Sequence, residues 1–374
     1  SLMAELFSKK ITLGDNILTE LFIETSYQKI LHLKNPFIFT SIFYPFTTNV
    51  SLNDPTTVYS FLFILIRPFL NPHHALIIIT LISFLLNNII MYILLRKLKI
   101  NHYVSIIISL VFGFTPFLSH RVLGHYTYIP IYFFPLTYLI VHQFLETKSN
   151  KNKTLSSIIF GSFLAFVLLS NFYYFLIIIL GILAFFCYFL ICQKKQLLKF
   201  IILDFKYLVI SLILFCLLLI PWFMSVYQLI ISNDLTNIPS LGGAITLSAD
   251  VLSFFTPSEY NPIYKIFFSK LASAIPLFSK YNNFFLNSWE RFVYPGIIVL
   301  GTYFLVILLK ILRKFPSTLW NKIKPYFIIS LVFTVLMLGP FLKVFNRWSI
   351  NLDGVAVVFP LPFLLLHYIP GLST

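Results

Sequence analysis

Residues 155–192 read LSSIIFGSFLAFVLLSNFYYFLIIILGILAFFCYFLIC, 38 residues without one Asp, Glu, Lys or Arg. As a single helix they would run about 57 Å, nearly twice the hydrocarbon thickness of a bilayer. The segment must fold back on itself, and Ser170-Asn171 is the expected turn. A membrane-spanning helical hairpin is the unit from which the rest of the chain can be read.

Further apolar runs lie on both sides of it. We expect eight spans in all, at 75–95, 103–118, 126–144, 155–170, 172–192, 207–222, 293–309 and 325–342. The apolar stretch 56–70 is too short to cross and stops at Arg67-Pro68, which suits an interfacial helix. Residues 355–370, interrupted by Pro360, Pro362 and Pro370, read as an interfacial or re-entrant piece. The fold class is therefore all-α integral membrane, a polytopic helix bundle of one domain, 1–374. Its parts are a first outer loop (1–74), six spans (75–222), a long outer loop (223–292), two spans (293–342) and an outer segment (343–374). The start at Ser-Leu-Met and the end just past a Pro-Gly turn read as cuts, with a first membrane helix and a C-terminal part missing.

Composition agrees with a membrane class. Hydrophobic residues make up 59% and charged residues 10%, against roughly 25% charged in soluble domains; mean hydropathy is +0.90. The formal net charge of +15 would suggest nucleic acid in a soluble protein. Here 15 of the 27 basic residues fall in alternate short loops: around Arg96–Lys99, Lys148–Lys153, Lys194–Lys206 and Lys310–Lys324. The positive-inside rule accounts for them and assigns those loops to the cytoplasm, so no nucleic-acid partner is expected. Ten of the twelve acids then lie outside, all but Glu146 and Asp204. Cys187, Cys192 and Cys216 sit in apolar runs, without zinc or disulfide spacing, and are expected to be small buried hydrophobes.

The eight spans contain no ionisable Asp, Glu, Lys or Arg, which weighs against an ion-coupled transporter. Chemistry must then sit on the outer rim. Asp15, after Gly14, can accept a proton from a hydroxyl at the membrane surface, or simply begin a helix or turn. Glu20 and Glu24 are i,i+4 neighbours and either hold a divalent metal with Asp15 or form a solvated face. Arg121, with His120 and His125, makes a short outer loop that is basic against the charge trend. A lipid-borne phosphate or a phospholipid headgroup would explain it, since Arg matches phosphate oxygens in bidentate fashion. The long outer loop adds Glu259, Glu290 and Arg291 as candidate substrate-binding groups, although Glu290-Arg291 is equally a plain interfacial ion pair.

These motifs in their order resemble a group of bacterial GT-C-like integral membrane glycosyltransferases. The resemblance runs through Gly14-Asp15-Asn16, Phe37-Ile-Phe-Thr-Ser-Ile-Phe-Tyr-Pro45, Tyr92-Ile-Leu-Leu-Arg-Lys-Leu98, Phe112-Gly-Phe-Thr-Pro116 and His120-Arg-Val-Leu-Gly-His125. It continues through Ser248-Ala-Asp-Val-Leu-Ser-Phe-Phe-Thr-Pro-Ser258, Glu290-Arg-Phe-Val-Tyr-Pro-Gly296 and Ile369-Pro-Gly-Leu-Ser373. Asn16 stands where that pattern has Pro, and no second acid adjoins Asp15.

The resemblance implies sugar transfer, with inversion, from a polyprenyl-phosphate donor to a lipid-linked or cell-envelope glycan acceptor. The site would face outwards from a bacterial cytoplasmic membrane. Asp15 would be the base, Arg121, His125 and Glu290 would shape the donor site, and Mg or Mn is a conceivable cofactor. The rival readings are a lipid or lipid-linked-glycan translocator without transferase activity, and a polymerase or ligase leaning on outer-loop arginines.

Overall fold

The computed structural model describes residues 15–43, 46–52, 56–122, 124–147, 149–232, 241–256 and 293–368. The chain forms two compact units, Ser1–Leu235 and Thr236–Thr374.

The first unit begins with α1 (Asp15–Leu31), a small antiparallel hairpin of β1 (Ile38–Phe43) and β2 (Phe46–Asn49), and the short apolar α2 (Thr57–Ile66). The bundle proper follows. It comprises α3 (Pro72–Lys97), α4 (His102–Gly113), α5 (Pro116–Arg121), a 3-10 turn at Tyr126–Tyr128, α6 (Phe133–Glu146), α7 (Asn150–Ser170), α8 (Phe172–Cys192), α9 (Lys194–Leu218) and α10 (Ile220–Ile231). Asn71 caps α3, accepting from the His74 N–H with Pro72 at the first helical position.

The expected turn at Ser170-Asn171 is present. Asn171 ends α7 and caps α8, its side chain accepting from the Tyr174 N–H. Helices α7 and α9 approach closely along a stripe of small residues, Ser157, Gly161 and Ala165, all buried. A Cβ at Gly161 would lie 2.3 Å from the Ser211 carbonyl oxygen, and Ser211 Oγ donates to the Ser157 carbonyl at 2.9 Å. With lipid no less apolar than a core side chain, such close backbone contact is what holds membrane helices together. At the start of α7, Lys153 Nζ lies 2.6 Å from Asp204 on α9 with both side chains nearly buried. Tyr207 Oη donates to Asn150 Oδ1 at 2.8 Å beside them.

Among the described residues six helical stretches are long and apolar enough to cross a membrane, and a seventh if a bent pair counts as one crossing. They are Pro72–Lys97, His102–Ser119, Tyr126–Glu146, Asn150–Ser170, Phe172–Cys192 and Ser317–Met337. The chain is thus a multi-pass helical membrane protein. Two of the eight expected spans take another form. The run 207–222 is interrupted: α9 ends at Leu218, α10 starts at Ile220 with Pro221 in its first turn, and the two are bent by 65°. Pro221 has no N–H to continue the ladder of α9. The run 293–309 yields α12 (Ile297–Ile311), about 22 Å of helix and short of a straight crossing.

Cys187, Cys192 and Cys216 are exposed on the flanks of α8 and α9, which corrects the expectation that they are buried. These flanks are apolar, and a thiol sits among apolar groups as a small hydrophobe.

The second unit contains α11 (Leu241–Leu247), a 3-10 turn at Val251–Phe254, α12, α13 (Ser317–Met337), β3 (Ser349–Leu352), β4 (Val355–Val358) and α14 (Phe363–His367). Strands β3 and β4 pair around Asp353-Gly354, both at positive φ (52° and 87°). This backbone twist matches that of the flanking strands, which is why Asp-Gly is favoured there. The Lys343 ammonium is buried and donates to the carbonyls of Ile245 at 2.6 Å and Ser248 at 3.1 Å, closing the end of α11. Asp250 accepts from the N–H groups of Leu252 (2.9 Å) and Asn346 (2.7 Å). Burial pushes its carboxyl above the ordinary range, opposed by those donors and the Lys343 charge. The Ser248-Ala-Asp stretch is therefore built into the scaffold of this unit.

Candidate functional site

Residues 124–132 lead into α6 largely as irregular backbone, whose polar groups must be satisfied inside the protein where water is scarce. Three fully buried asparagines do this, two from helices and one from the junction of α7 and α8. Asn16 of α1 donates to the Val122 carbonyl at 3.1 Å and accepts from the Tyr126 N–H at 3.2 Å. Asn87 of α3 donates to the Ile129 carbonyl at 2.9 Å and accepts from the Tyr132 N–H at 2.8 Å. Asn171 donates to the Thr127 carbonyl at 3.1 Å. A side-chain amide offers one donor and one acceptor together, so each of these residues makes a clamp. Tyr174 Oη adds a bond to the Tyr128 carbonyl at 2.5 Å.

The clamp of Asn16 sets α1 beside the Arg121–His125 loop. Asp15 is the first residue of α1; its side chain lies outside the described residues, as does that of His120. The Arg121 guanidinium lies 5.3 Å from the Phe117 ring and 5.2 Å from the Tyr128 ring, within cation–π range. The His125 ring meets Tyr128 edge to face at 5.7 Å.

Glu20 and Glu24, one and two turns after Asn16, carry specific partners. Glu20 Oε2 lies 3.2 Å from His73 Nδ1. Glu24 Oε2 accepts from Arg67 Nε at 2.9 Å, and its other oxygen accepts from Gln28 at 3.0 Å. Among the described residues no three His, Cys, Asp or Glu side chains gather closely enough to hold a metal. Glu259, Glu290 and Arg291 lie outside the described residues.

Tyr126 is almost wholly buried (3% exposed). Its hydroxyl and His73 Nε2 have no hydrogen-bond partner among the described residues, and the charge of Glu20 reaches the phenol. No motif in the sequence marks either His73 or Tyr126. Within the first unit α2, α3, Tyr132–Phe133 and the end of α7 line a small, partly open apolar crevice. Tyr59, Ile79, Phe133 and Phe166 are among its lining residues, with Ser83 and Ser170 as the polar exceptions.

A family described as "Domain of unknown function (DUF6311)" matches residues 20–361 of the chain. No curated protein and no solved structure matches it.

Proposed function

The chain belongs to the DUF6311 family, and from that premise we propose that it is a GT-C-type membrane glycosyltransferase. It moves a sugar from a polyprenyl-phosphate donor to a glycan or lipid acceptor at the outer face of a bacterial cytoplasmic membrane. The observation that carries this reading is the Asn16 clamp, which holds the helix opened by Asp15 against Val122 and Tyr126, next to Arg121 and His125. A carboxylate and a guanidinium on neighbouring elements suit the two ends of the chemistry. Asp15 takes the proton of the acceptor hydroxyl as its oxygen attacks the anomeric carbon. The anomeric C–O bond to phosphate breaks, and polyprenyl phosphate leaves with the electron pair towards Arg121.

The test is Asp15→Asn in full-chain protein reconstituted with a prenyl-phosphate-linked sugar. Transfer is expected to fall about 10²–10⁴-fold, the usual contribution of a general base, with folding unchanged. Undiminished transfer removes Asp15 from the mechanism. If no transfer occurs in the unaltered protein while labelled lipid crosses vesicles, the translocator reading replaces this one.

A further inference from the structure

We infer that His73 and Tyr126 together recognise a hydroxyl of a carbohydrate ligand, with Glu20 fixing the imidazole that receives it. The inference rests on the donor reading above and names a sugar subsite within it.

The Glu20 carboxylate, 3.2 Å from His73 Nδ1, is an acceptor and holds a proton on that nitrogen. In the neutral imidazole the far nitrogen, Nε2, is then a lone-pair acceptor. It is buried, and no described group donates to it. The charge of the same carboxylate reaches Tyr126, whose phenol can donate and is likewise buried without a partner among the described residues. One acceptor and one donor in the neighbourhood of one carboxylate match a hydroxyl, which gives a hydrogen bond to the first and takes one from the second. A phosphate oxygen, acceptor only, would meet the imidazole lone pair and the Glu20 charge. An isoprenoid chain would leave both polar atoms unsatisfied.

The contrast with their surroundings argues against a packing role. Asn16, Asn87 and Asn171 each use both faces of the amide on nearby backbone. Leaving a buried hydroxyl unmatched costs stability, and such costs gather where a ligand is to be met. The subsite is also well placed. Tyr126 donates its N–H to Asn16, and Glu20 is one helical turn, about 6 Å, beyond Asn16 along α1.

The experiment uses full-chain protein in nanodiscs with two probes: a short-chain prenyl-phosphate hexose, and the same prenyl phosphate without sugar. Tyr126→Phe keeps the buried ring and removes only the hydroxyl; His73→Phe is the second variant. Each is expected to weaken the sugar-bearing probe about tenfold, the worth of one hydrogen bond, and to leave the bare probe unchanged. Tyr126→Phe is also expected to raise the ligand-free thermal midpoint by about 2 °C, since it deletes an unmatched polar group. If the unaltered protein prefers the sugar-bearing probe and both variants keep that preference, the subsite is wrong and the transferase reading stands. If Tyr126→Phe lowers the midpoint and weakens both probes equally, the hydroxyl serves the fold and the subsite is again wrong. If the unaltered protein binds neither probe, or both equally, the donor reading falls and the subsite with it.

Discussion

The two ends of helix α7 solve the same problem, polar groups in a poorly hydrated bundle, in opposite ways. At its start Lys153 and Asp204 form a buried ion pair at 2.6 Å, with Phe144 and Tyr207 rings within 6 Å of the ammonium and Tyr207 Oη donating to Asn150. At its finish, seventeen residues and about 26 Å further on, neutral asparagines hold Val122 and the 124–132 segment, and Tyr126 Oη and His73 Nε2 have no partner among the described residues. The first end is closed and complete. The second keeps hydrogen-bonding capacity in reserve, as a stable scaffold alone would not require.

The strongest way to break this contrast is at the closed end. Lys153→Met leaves Asp204 buried without its cation, and breaking one partner of a buried pair costs about 3–5 kcal/mol. The full-chain protein is expected to lose that much in denaturant unfolding, while any residual folded fraction binds the prenyl-phosphate probes normally. The double change Lys153→Met with Asp204→Leu is expected to recover most of the loss, because an apolar pair of similar volume is often as stable as the buried ions. A single change that cost nothing would mean the pair is hydrated and the end is not closed.

Next comes Gly161. A side chain there meets the Ser211 carbonyl, so Gly161→Val must push α7 from α9 at a cost of about 1–3 kcal/mol. Thermal unfolding of the purified protein measures it. A neutral result would separate the helix contact from the ion pair at its end.

How much of this could be read from the chain differs between the same two ends. The hairpin over 155–192 and its turn at Asn171 were legible because absence of charge over 38 residues has only one physical outcome. The small stripe Ser157, Gly161, Ala165 was written in the sequence at four-residue spacing, and a packing rule for membrane helices could have found it. So was the Asp353-Gly354 hairpin, whose second strand lies in the stretch that its prolines mark as an interfacial or re-entrant piece. Lys153 and Asp204 were placed on one side by loop charge, but their pairing joins residues 51 apart and follows from helix packing alone. The candidate site was half legible. Asp15, Arg121 and His125 stood out by residue type, whereas Asn16 was noticed only as a replacement for Pro, yet it ties α1 to the loop. Glu20 and Glu24 were read as a possible metal face because spacing shows which face they share but not that His73 and Arg67 lie opposite.

At the open end Asn16→Ala tests the clamp. It orphans the Val122 carbonyl and the Tyr126 N–H, at about 1–3 kcal/mol for each group left unsatisfied in the interior. The expected signature is a modest fall in stability and a larger fall in transfer, since α1 is freed from the loop that carries Arg121. Equal losses in both would make Asn16 a packing residue only.

The smallest effect belongs to Glu24, and it sharpens the comparison most cleanly because the chemistry is again a carboxylate with a cation. The Glu24 and Arg67 side chains are 23% and 29% exposed, against 13% and 10% for Asp204 and Lys153. Water and salt screen the more exposed pair, so Glu24→Gln is expected to cost about 1 kcal/mol or less and to matter less still at high ionic strength. The same variant tests the metal alternative for this face. With Arg67 already on its carboxylate, Glu24 has no need of a divalent ion, and Glu24→Gln is expected to leave transfer and its response to added Mg or Mn unaltered. A variant that lost transfer and regained it at high metal concentration would turn the ion pair into a resting state of a metal ligand, and the open end of the bundle would then be a metal centre.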